Sequence, residues 1–156
     1  MGINLSLELC MQTTGYDGIS TVRHWYKHKP WKDKSIEQVK KEIEDDVMFQ
    51  IQSSGKAKEG VVELLEKICG LNLKRAVASS SPQYFIEKVI ERIGLSSYFE
   101  LMQSSESLQA GKPHPAVYLH TAAQLNVLPG NCTAIEDSIN GLKAAKTAGM
   151  KTVALP

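Results

Sequence analysis

The spacing of apolar residues predicts one long helix in the first third of the chain. Apolar residues recur there every three or four positions, which is the period of one helix face. They are Ile36, Val39, Ile43, Val47 and Ile51. Ser35 is followed three residues later by Gln38, which is typical of a capping box, so we expect the helix to begin directly after Ser35. Residues 53–58, SSGKAK, are polar and are interpreted as a linker.

From residue 60 onward, amphipathic stretches alternate with short apolar runs. The apolar runs predict strands at 73–78, 98–102, 132–135 and 151–155. Predicted helices lie before and between them and begin near residues 61, 82, 115 and 138. This alternation predicts a parallel sheet covered by helices, which is an α/β fold. In such sheets ligands bind at the carboxyl ends of the strands.

The composition is that of an ordinary globular protein and favours neither a nucleic-acid nor a membrane partner. The 156 residues are 42% hydrophobic and 22% charged, and their formal net charge of +1 provides no field that would attract nucleic acid or anionic lipid. No apolar run approaches the roughly 20 residues that span a bilayer. The three cysteines lack a metal-type spacing, so we expect them to be reduced and the protein to be cytoplasmic.

Polar side chains follow the predicted strands, and a serine triplet is the first such group. Ser79, Ser80 and Ser81 stand between a predicted strand and a helix that begins near Pro82. The unpaired N–H groups at a helix N-terminus attract an anion, and a serine hydroxyl adds a further donor. Alternatively, one serine caps the helix and the others belong to the turn.

A lysine between two prolines is the second group. Lys112 lies in the sequence GKPHP, where Pro113 and Pro115 stiffen the backbone on both sides of His114. A lysine held in this way can present a point charge to a phosphate, and His114 can reach a substrate. The alternatives are a surface lysine before a helix and a solvated or capping histidine.

Two adjacent carboxylates form the third group. Glu136 and Asp137 follow an apolar run directly and precede a predicted helix. Such a pair can share a hard cation such as Mg²⁺, which prefers oxygen ligands. The alternative is that Asp137 caps the helix while Glu136 adds favourable charge to its first turn. Gly141 is expected to let this helix approach the sheet closely.

The three stretches VASSSP, GKPHPAVY and AIEDSINGLKAAKTAGM resemble the second, third and fourth motifs of the haloacid dehalogenase superfamily. The branch that they resemble contains the β-phosphoglucomutase-like and 2-deoxyglucose-6-phosphate phosphatase enzymes. The resemblance implies a Rossmann-like core with a parallel sheet over residues 58–156 and an all-α helical cap over residues 1–57. Both domains are expected to be partial.

The resemblance also assigns roles to the polar groups. It implies that Ser79 and the backbone N–H of Ser80 bind the transferred phosphate, and that Lys112 stabilises the charge on the nucleophile and the phosphoryl group. Lys112 and Ser79 are therefore the predicted catalytic residues. Asp137, assisted by Glu136, would hold Mg²⁺.

Further residues would contact the substrate if the resemblance holds. The turn at Thr14 and Gly15 is similar to the cap segment that closes over substrate in this branch. Ser81 and Gln83 fall where sugar-phosphate mutases hold the far end of the substrate, and His114 is a further candidate contact.

One motif of the superfamily is not found in this sequence. The first motif, D-x-D-G, ends the first strand and supplies the aspartate nucleophile, but no D-x-D precedes the serine triplet. In this fold that strand would lie between the strand that ends at Ser79 and the one that ends at Ile135. Its absence would leave two sheet halves with unpaired edges. We interpret the sequence as a fragment that is inactive alone.

The function expected from the resemblance is hydrolysis of small sugar phosphates, of the 2-deoxyglucose-6-phosphate or hexitol-phosphate type. The reaction would use Mg²⁺ and an aspartyl-phosphate in a full-length protein, which we expect to be a monomer. Tyr16 and Asp17 stand where mutases carry an arginine that grips a second phosphate, which favours monophosphate hydrolysis. The alternatives are a β-phosphoglucomutase-like mutase and a non-catalytic remnant.

Overall fold

The structure is a computed structural model that describes residues 6–155, and within these residues the chain forms seven α-helices and four β-strands. In chain order they are α1 Leu7–Met11, α2 Gly18–His28, α3 Ile36–Ser54, α4 Val61–Cys69, β1 Ala76–Ser79, α5 Gln83–Arg92, β2 Leu101–Ser104, α6 Ala116–Gln124, β3 Thr133–Glu136, α7 Ile139–Thr147 and β4 Lys151–Ala154. Short 3₁₀ turns occur at Ser96–Tyr98 and Pro129–Asn131.

The predicted capping box at the start of α3 is confirmed. The Gln38 backbone N–H donates to Ser35 Oγ at 3.1 Å, and the Ser35 N–H donates to Gln38 Oε1 at 2.8 Å. The preceding helix α2 packs against α3, with Val22 and Val39 buried between them. Residues 7–54, which contain α1, α2 and α3, are called the helical segment below.

The α/β class is confirmed, and the four described strands form two separate sheets. β1 pairs with β2 in parallel, with Ala76 opposite Leu101. β3 pairs with β4 in parallel, with Thr133 opposite Lys151. The expected division into two sheet halves is therefore present within residues 6–155.

Each sheet has its own hydrophobic core. One core joins α6 and α7 to β3, and small side chains let these elements approach closely; its buried members are Val117, Tyr118, Ala134, Ala144, Ala145 and Ala148. The other core joins α4 and α5 to the 3₁₀ turn near residue 96, through Leu65, Ile86, Ile90 and Leu95. Full burial of an aliphatic side chain of this size contributes about 1.5–3 kcal/mol.

Cys10, Cys69 and Cys132 are all free. Within residues 6–155, no helix combines the length and the apolar character that crossing a membrane requires.

Candidate phosphate site at the carboxyl ends of the strands

A buried ion pair lies where the two sheets approach each other. Lys112 Nζ contacts Glu136 Oε1, and each side chain is only 7% exposed. The same ammonium donates a hydrogen bond to the carbonyl oxygen of Ala78 at 3.2 Å. The neighbouring carbonyl of Ser79 accepts from Ser105 beyond β2, so Ala78 presents its carbonyl on the opposite edge of β1. Lys112 thus links the open edge of β1 to the end of β3.

The carboxylate of Glu136 is surrounded by donors. Its Oε1 accepts from Lys112 and from the hydroxyl of Tyr118, and its Oε2 accepts from Ser138 Oγ at 3.1 Å. Burial alone would raise the pKa of Glu136, but the hydrogen bonds from Lys112 and Tyr118 outweigh it and lower that pKa below the ordinary value of 4.5. Burial is the larger cause of a raised pKa of Tyr118, and the hydrogen bond to Glu136 raises it further. The carboxylate is therefore ionised at neutral pH.

The first turn of α7 makes room for this carboxylate. Ser138 is the N-cap of α7, and its Oγ accepts from the Gly141 N–H at 2.9 Å. A Cβ at Gly141 would overlap the Glu136 carboxylate, so the expected close approach at this glycine is confirmed. The alternative in which Asp137 caps the helix is wrong, because the serine one residue later takes that position.

Asp137 and Glu136 lie in different surroundings. Adjacent residues at the end of a strand point to opposite faces. Asp137 is exposed, whereas Glu136 is buried and accepts hydrogen bonds from three donors. Within residues 6–155 no cluster of three or more His, Cys, Asp or Glu side chains is placed to hold a metal ion. Mg²⁺ is usually bound through one or two carboxylates together with water and substrate phosphate, so a single exposed carboxylate is compatible with a magnesium site. Asp137 as a metal ligand stays a prediction.

The serine triplet forms a compact loop between β1 and α5. Ser79 Oγ accepts from the Ser81 N–H at 3.1 Å, and Ser80 Oγ donates to the Gly15 carbonyl at 3.1 Å. The N-cap of α5 is Pro82, with no side-chain capping bond, so the alternative of a capping serine is wrong. The positive end of α5 therefore begins directly beside the serine loop, which suits an anion.

The turn at Thr14 and Gly15 rests on the core, at the ends of both sheets. Gly15 has φ +85°, and a Cβ there would lie 2.8 Å from Ser138 Oγ. Asn140 Nδ2 donates to the Thr14 carbonyl at 3.0 Å. Together with the bond from Ser80, these contacts bring both predicted turn residues into the neighbourhood of the serine loop and α7. The predicted closure over substrate remains a prediction.

Two predicted substrate residues are engaged in local structure. Gln83 Oε1 accepts from the Ser104 N–H at 3.1 Å, and its Nε2 donates to the Met102 carbonyl at 3.0 Å, so this side chain ties α5 to β2. His114 is exposed, and its Nδ1 accepts from the Ala116 N–H at 3.2 Å, which is the capping role considered as the alternative. Their contact with substrate stays a prediction.

A cleft of about 240 Å³ separates the helical segment from the serine loop. Its lining includes Ser80 and Ser81 on one side and Thr21, Lys40 and Glu44 on the other. None of these last three residues is a candidate from the sequence. The spacing of Lys40 and Glu44, one helical turn apart, is a signal for an ion pair, but it does not reveal which face of α3 is covered.

Hydroxyl, ammonium and carboxylate groups thus lie at the ends of parallel strands, next to a helical segment, in a Rossmann-like α/β arrangement. The chain belongs to the haloacid dehalogenase-like hydrolases, and the model of that family matches residues 2–155. The resemblance inferred from the three motifs is thereby confirmed.

The chain is similar in sequence to two phosphatases. It is 35% identical over 132 residues to Hexitol phosphatase B of Escherichia coli strain K12, which covers 85% of this chain and 60% of that protein. It is 34% identical over 119 residues to a Phosphorylated carbohydrates phosphatase of Thermotoga maritima, covering 76% and 55%.

The fold is similar to the crystal structure of CbbY from Rhodobacter sphaeroides in complex with phosphate, with a TM-score of 0.88 and 20% identity. That match covers 99% of this chain and 72% of the other. The chain spans 60% or less of the length of the two phosphatases it matches in sequence.

Proposed function

We propose that the protein to which this chain belongs hydrolyses phosphate monoesters of small sugars or sugar alcohols in the cytoplasm. The observation that carries the proposal is the buried Lys112 ammonium, which lies at the ends of β1 and β3 near the serine loop. The names of the two similar phosphatases, which refer to hexitols and phosphorylated carbohydrates, support this substrate class. In this proposal residues 58–156 form the core and residues 1–57 form a helical cap over the substrate.

The residues present would act by binding and charge stabilisation. Ser79 Oγ and the Ser80 N–H would donate to the phosphate oxygens at the N-terminus of α5. An ammonium has three N–H donors; Lys112 directs one to Glu136 and one to Ala78. The third can donate to a phosphate oxygen. Phosphoryl transfer asks a protein chiefly for such positioning and electrostatic stabilisation.

Mg²⁺ would be held through Asp137, and it would supply neutralisation of the phosphate charge. A covalent route would also need an aspartate nucleophile, and no D-x-D motif precedes Ser79 in the sequence. We therefore propose that the 156-residue chain binds phosphate without appreciable turnover. The proposed substrate class comprises hexose, deoxyhexose and hexitol phosphates.

The test is calorimetric titration of the chain with inorganic phosphate in the presence of MgCl₂. Loss of a hydrogen bond to a charged group costs about 1.5–3 kcal/mol, so Ser79→Ala should weaken phosphate binding by about 10-fold or more. Ser97→Ala, at an exposed position in the 3₁₀ turn, is the matched control and should bind as the unchanged chain does. Equal affinity in the Ser79→Ala variant, or no phosphate binding by the unchanged chain, would contradict the proposal.

A further inference from the structure

A partly buried ion pair lines the cleft on the side away from the serine loop. Lys40 Nζ lies 2.7 Å from Glu44 Oε1, one turn apart on α3, and the side chains are 26% and 15% exposed. Among the described residues that line the cleft, only Lys40 and Glu44 carry charged side chains. The groups proposed to bind phosphate do not include them.

A second ion pair on the same helix provides a solvent-exposed comparison. Lys41 and Asp45 have the same spacing and the same 2.7 Å separation, but their side chains are 75% and 63% exposed. Lys40 and Glu44 are instead turned toward the first turn of α2. A Cβ at Gly18 would lie 3.2 Å from Glu44 Oε1 and 3.4 Å from Lys40 Cε, so Gly18 leaves room for the pair.

Lys40 keeps its positive charge beside Glu44. Burial would lower the pKa of Lys40, but the interaction with Glu44 outweighs it and raises that pKa. Lys40 therefore presents ammonium donors at neutral pH, next to the carboxyl group with which it forms the salt bridge.

We propose that Lys40 and Glu44 bind the hydroxyl groups at the end of the substrate remote from the reacting phosphate, and that they select an uncharged polyhydroxyl end against a second phosphate. This inference rests on the proposed function. A hydroxyl both donates and accepts, so it can pair with the carboxylate and the ammonium at once. A second phosphate offers chiefly acceptors, and it would meet the Glu44 carboxylate while the Lys40 charge is already compensated. Placing like charges together in a partly buried site is unfavourable.

The position of the cleft fits this role. It extends from Ser80 and Ser81 to α3, so a molecule whose phosphate lies at the serine loop would direct its other end toward Lys40 and Glu44. Its volume of about 240 Å³ is roughly that of eight water molecules. Tyr16 and Thr21 line the same space and add hydroxyl groups.

The experiment compares dissociation constants of the chain for inorganic phosphate, D-glucitol 6-phosphate and glucose 1,6-bisphosphate by calorimetry. The unchanged chain should bind the glucitol ester about 10-fold more tightly than the bisphosphate, because of the like-charge contact with Glu44. Glu44→Gln should reduce this preference about fivefold or more and leave the inorganic phosphate affinity unchanged. Asp45→Asn removes the same charge from the exposed pair and should keep the preference.

The outcomes separate this inference from the proposed function. If inorganic phosphate binds but Glu44→Gln and Asp45→Asn show the same preference as the unchanged chain, the pair does not select substrate and the inference is overturned. If inorganic phosphate does not bind, the proposed function fails and the inference fails with it. If Glu44→Gln does not give a folded circular dichroism spectrum, Lys40→Gln provides the second test. It should weaken the glucitol ester about threefold or more without affecting inorganic phosphate, and an unchanged ester affinity would overturn the inference.

Discussion

Removal of one partner from the Lys112–Glu136 pair should cost much of the stability of the chain. Both side chains are 7% exposed, so water screens the remaining charge poorly. Breaking a buried pair from one side typically costs about 3–5 kcal/mol. In Lys112→Met the carboxylate keeps its bonds from Tyr118 and Ser138, so we expect the lower end, about 3 kcal/mol. In Glu136→Gln the Lys112 ammonium keeps its hydrogen bond to the Ala78 carbonyl, and we expect a similar loss of about 3 kcal/mol in the free energy of unfolding.

The double variant should lose less than the sum of the two single losses. Lys112→Met with Glu136→Gln leaves no buried charge, and the remaining cost comes from imperfect packing and from the weaker acceptor offered to Tyr118. We expect a total loss of about 3–4 kcal/mol, which gives a coupling energy of about 2–3 kcal/mol between the two positions.

Urea unfolding followed by far-ultraviolet circular dichroism measures the four free energies, provided that the slopes with denaturant agree. The control is the same cycle at the exposed pair, with Lys41→Met and Asp45→Asn, where the coupling should be about 0.5 kcal/mol or less. A coupling at Lys112 and Glu136 as small as that of the exposed pair would refute the reasoning that the buried charges depend on each other.

Two further predictions concern the turn at Gly15 and the response to acid. Gly15→Ala should lower the free energy of unfolding by about 2 kcal/mol or more, because φ is +85° and the new Cβ would lie 2.8 Å from Ser138 Oγ. Gly94 has a similar φ of +73° with open space around it, so Gly94→Ala should lower the free energy of unfolding by only about 1 kcal/mol. Equal losses for the two variants in urea unfolding would contradict the proposed clash between the new side chain at residue 15 and Ser138. The lowered pKa of Glu136 stabilises the fold above the ordinary value of 4.5, and that contribution should be lost as pH falls through the folded-state pKa. From about pH 6 to pH 3, the midpoint temperature of thermal unfolding should fall less in Glu136→Gln than in the unchanged chain. An identical fall in both proteins would contradict the stabilising role of the ionised Glu136.

The helix starts could be predicted because capping chemistry is local. The box at Ser35 and the prolines at 82 and 115 mark the beginnings of α3, α5 and α6 within one residue. The strand ends were less accurate: β2 was predicted to end at residue 102 and ends at Ser104. The end of a strand depends on the pairing register with a partner distant in sequence, here Ser79 opposite Ser104, which no local pattern contains.

The groups of the candidate site could be found from sequence, but their partners could not. The α/β pattern predicts polar groups at strand ends. Ser79 and Glu136 are the last residues of β1 and β3, whereas Lys112 lies in the loop after β2 and reaches Glu136 through its side chain. The sequence predicts that Glu136 assists Asp137 in holding a metal, which stays a prediction, but it does not reveal that Glu136 accepts from Lys112 and Tyr118. Tyr118 lies in an apolar stretch of α6 and therefore gave no sign of a polar contact.

The ion pair at Lys112 makes stability and proposed phosphate binding depend on one ammonium in opposite ways. Glu136 remains ionised because its pKa is lowered, so it neutralises Lys112 and permits the charge to be buried. The same neutralisation removes most of the field that would attract a phosphate. What remains for an anion is directional: the third N–H of Lys112, the hydroxyl of Ser79 and the N–H groups at the start of α5. We therefore expect the site to select an anion by the geometry of its oxygens more than by its charge.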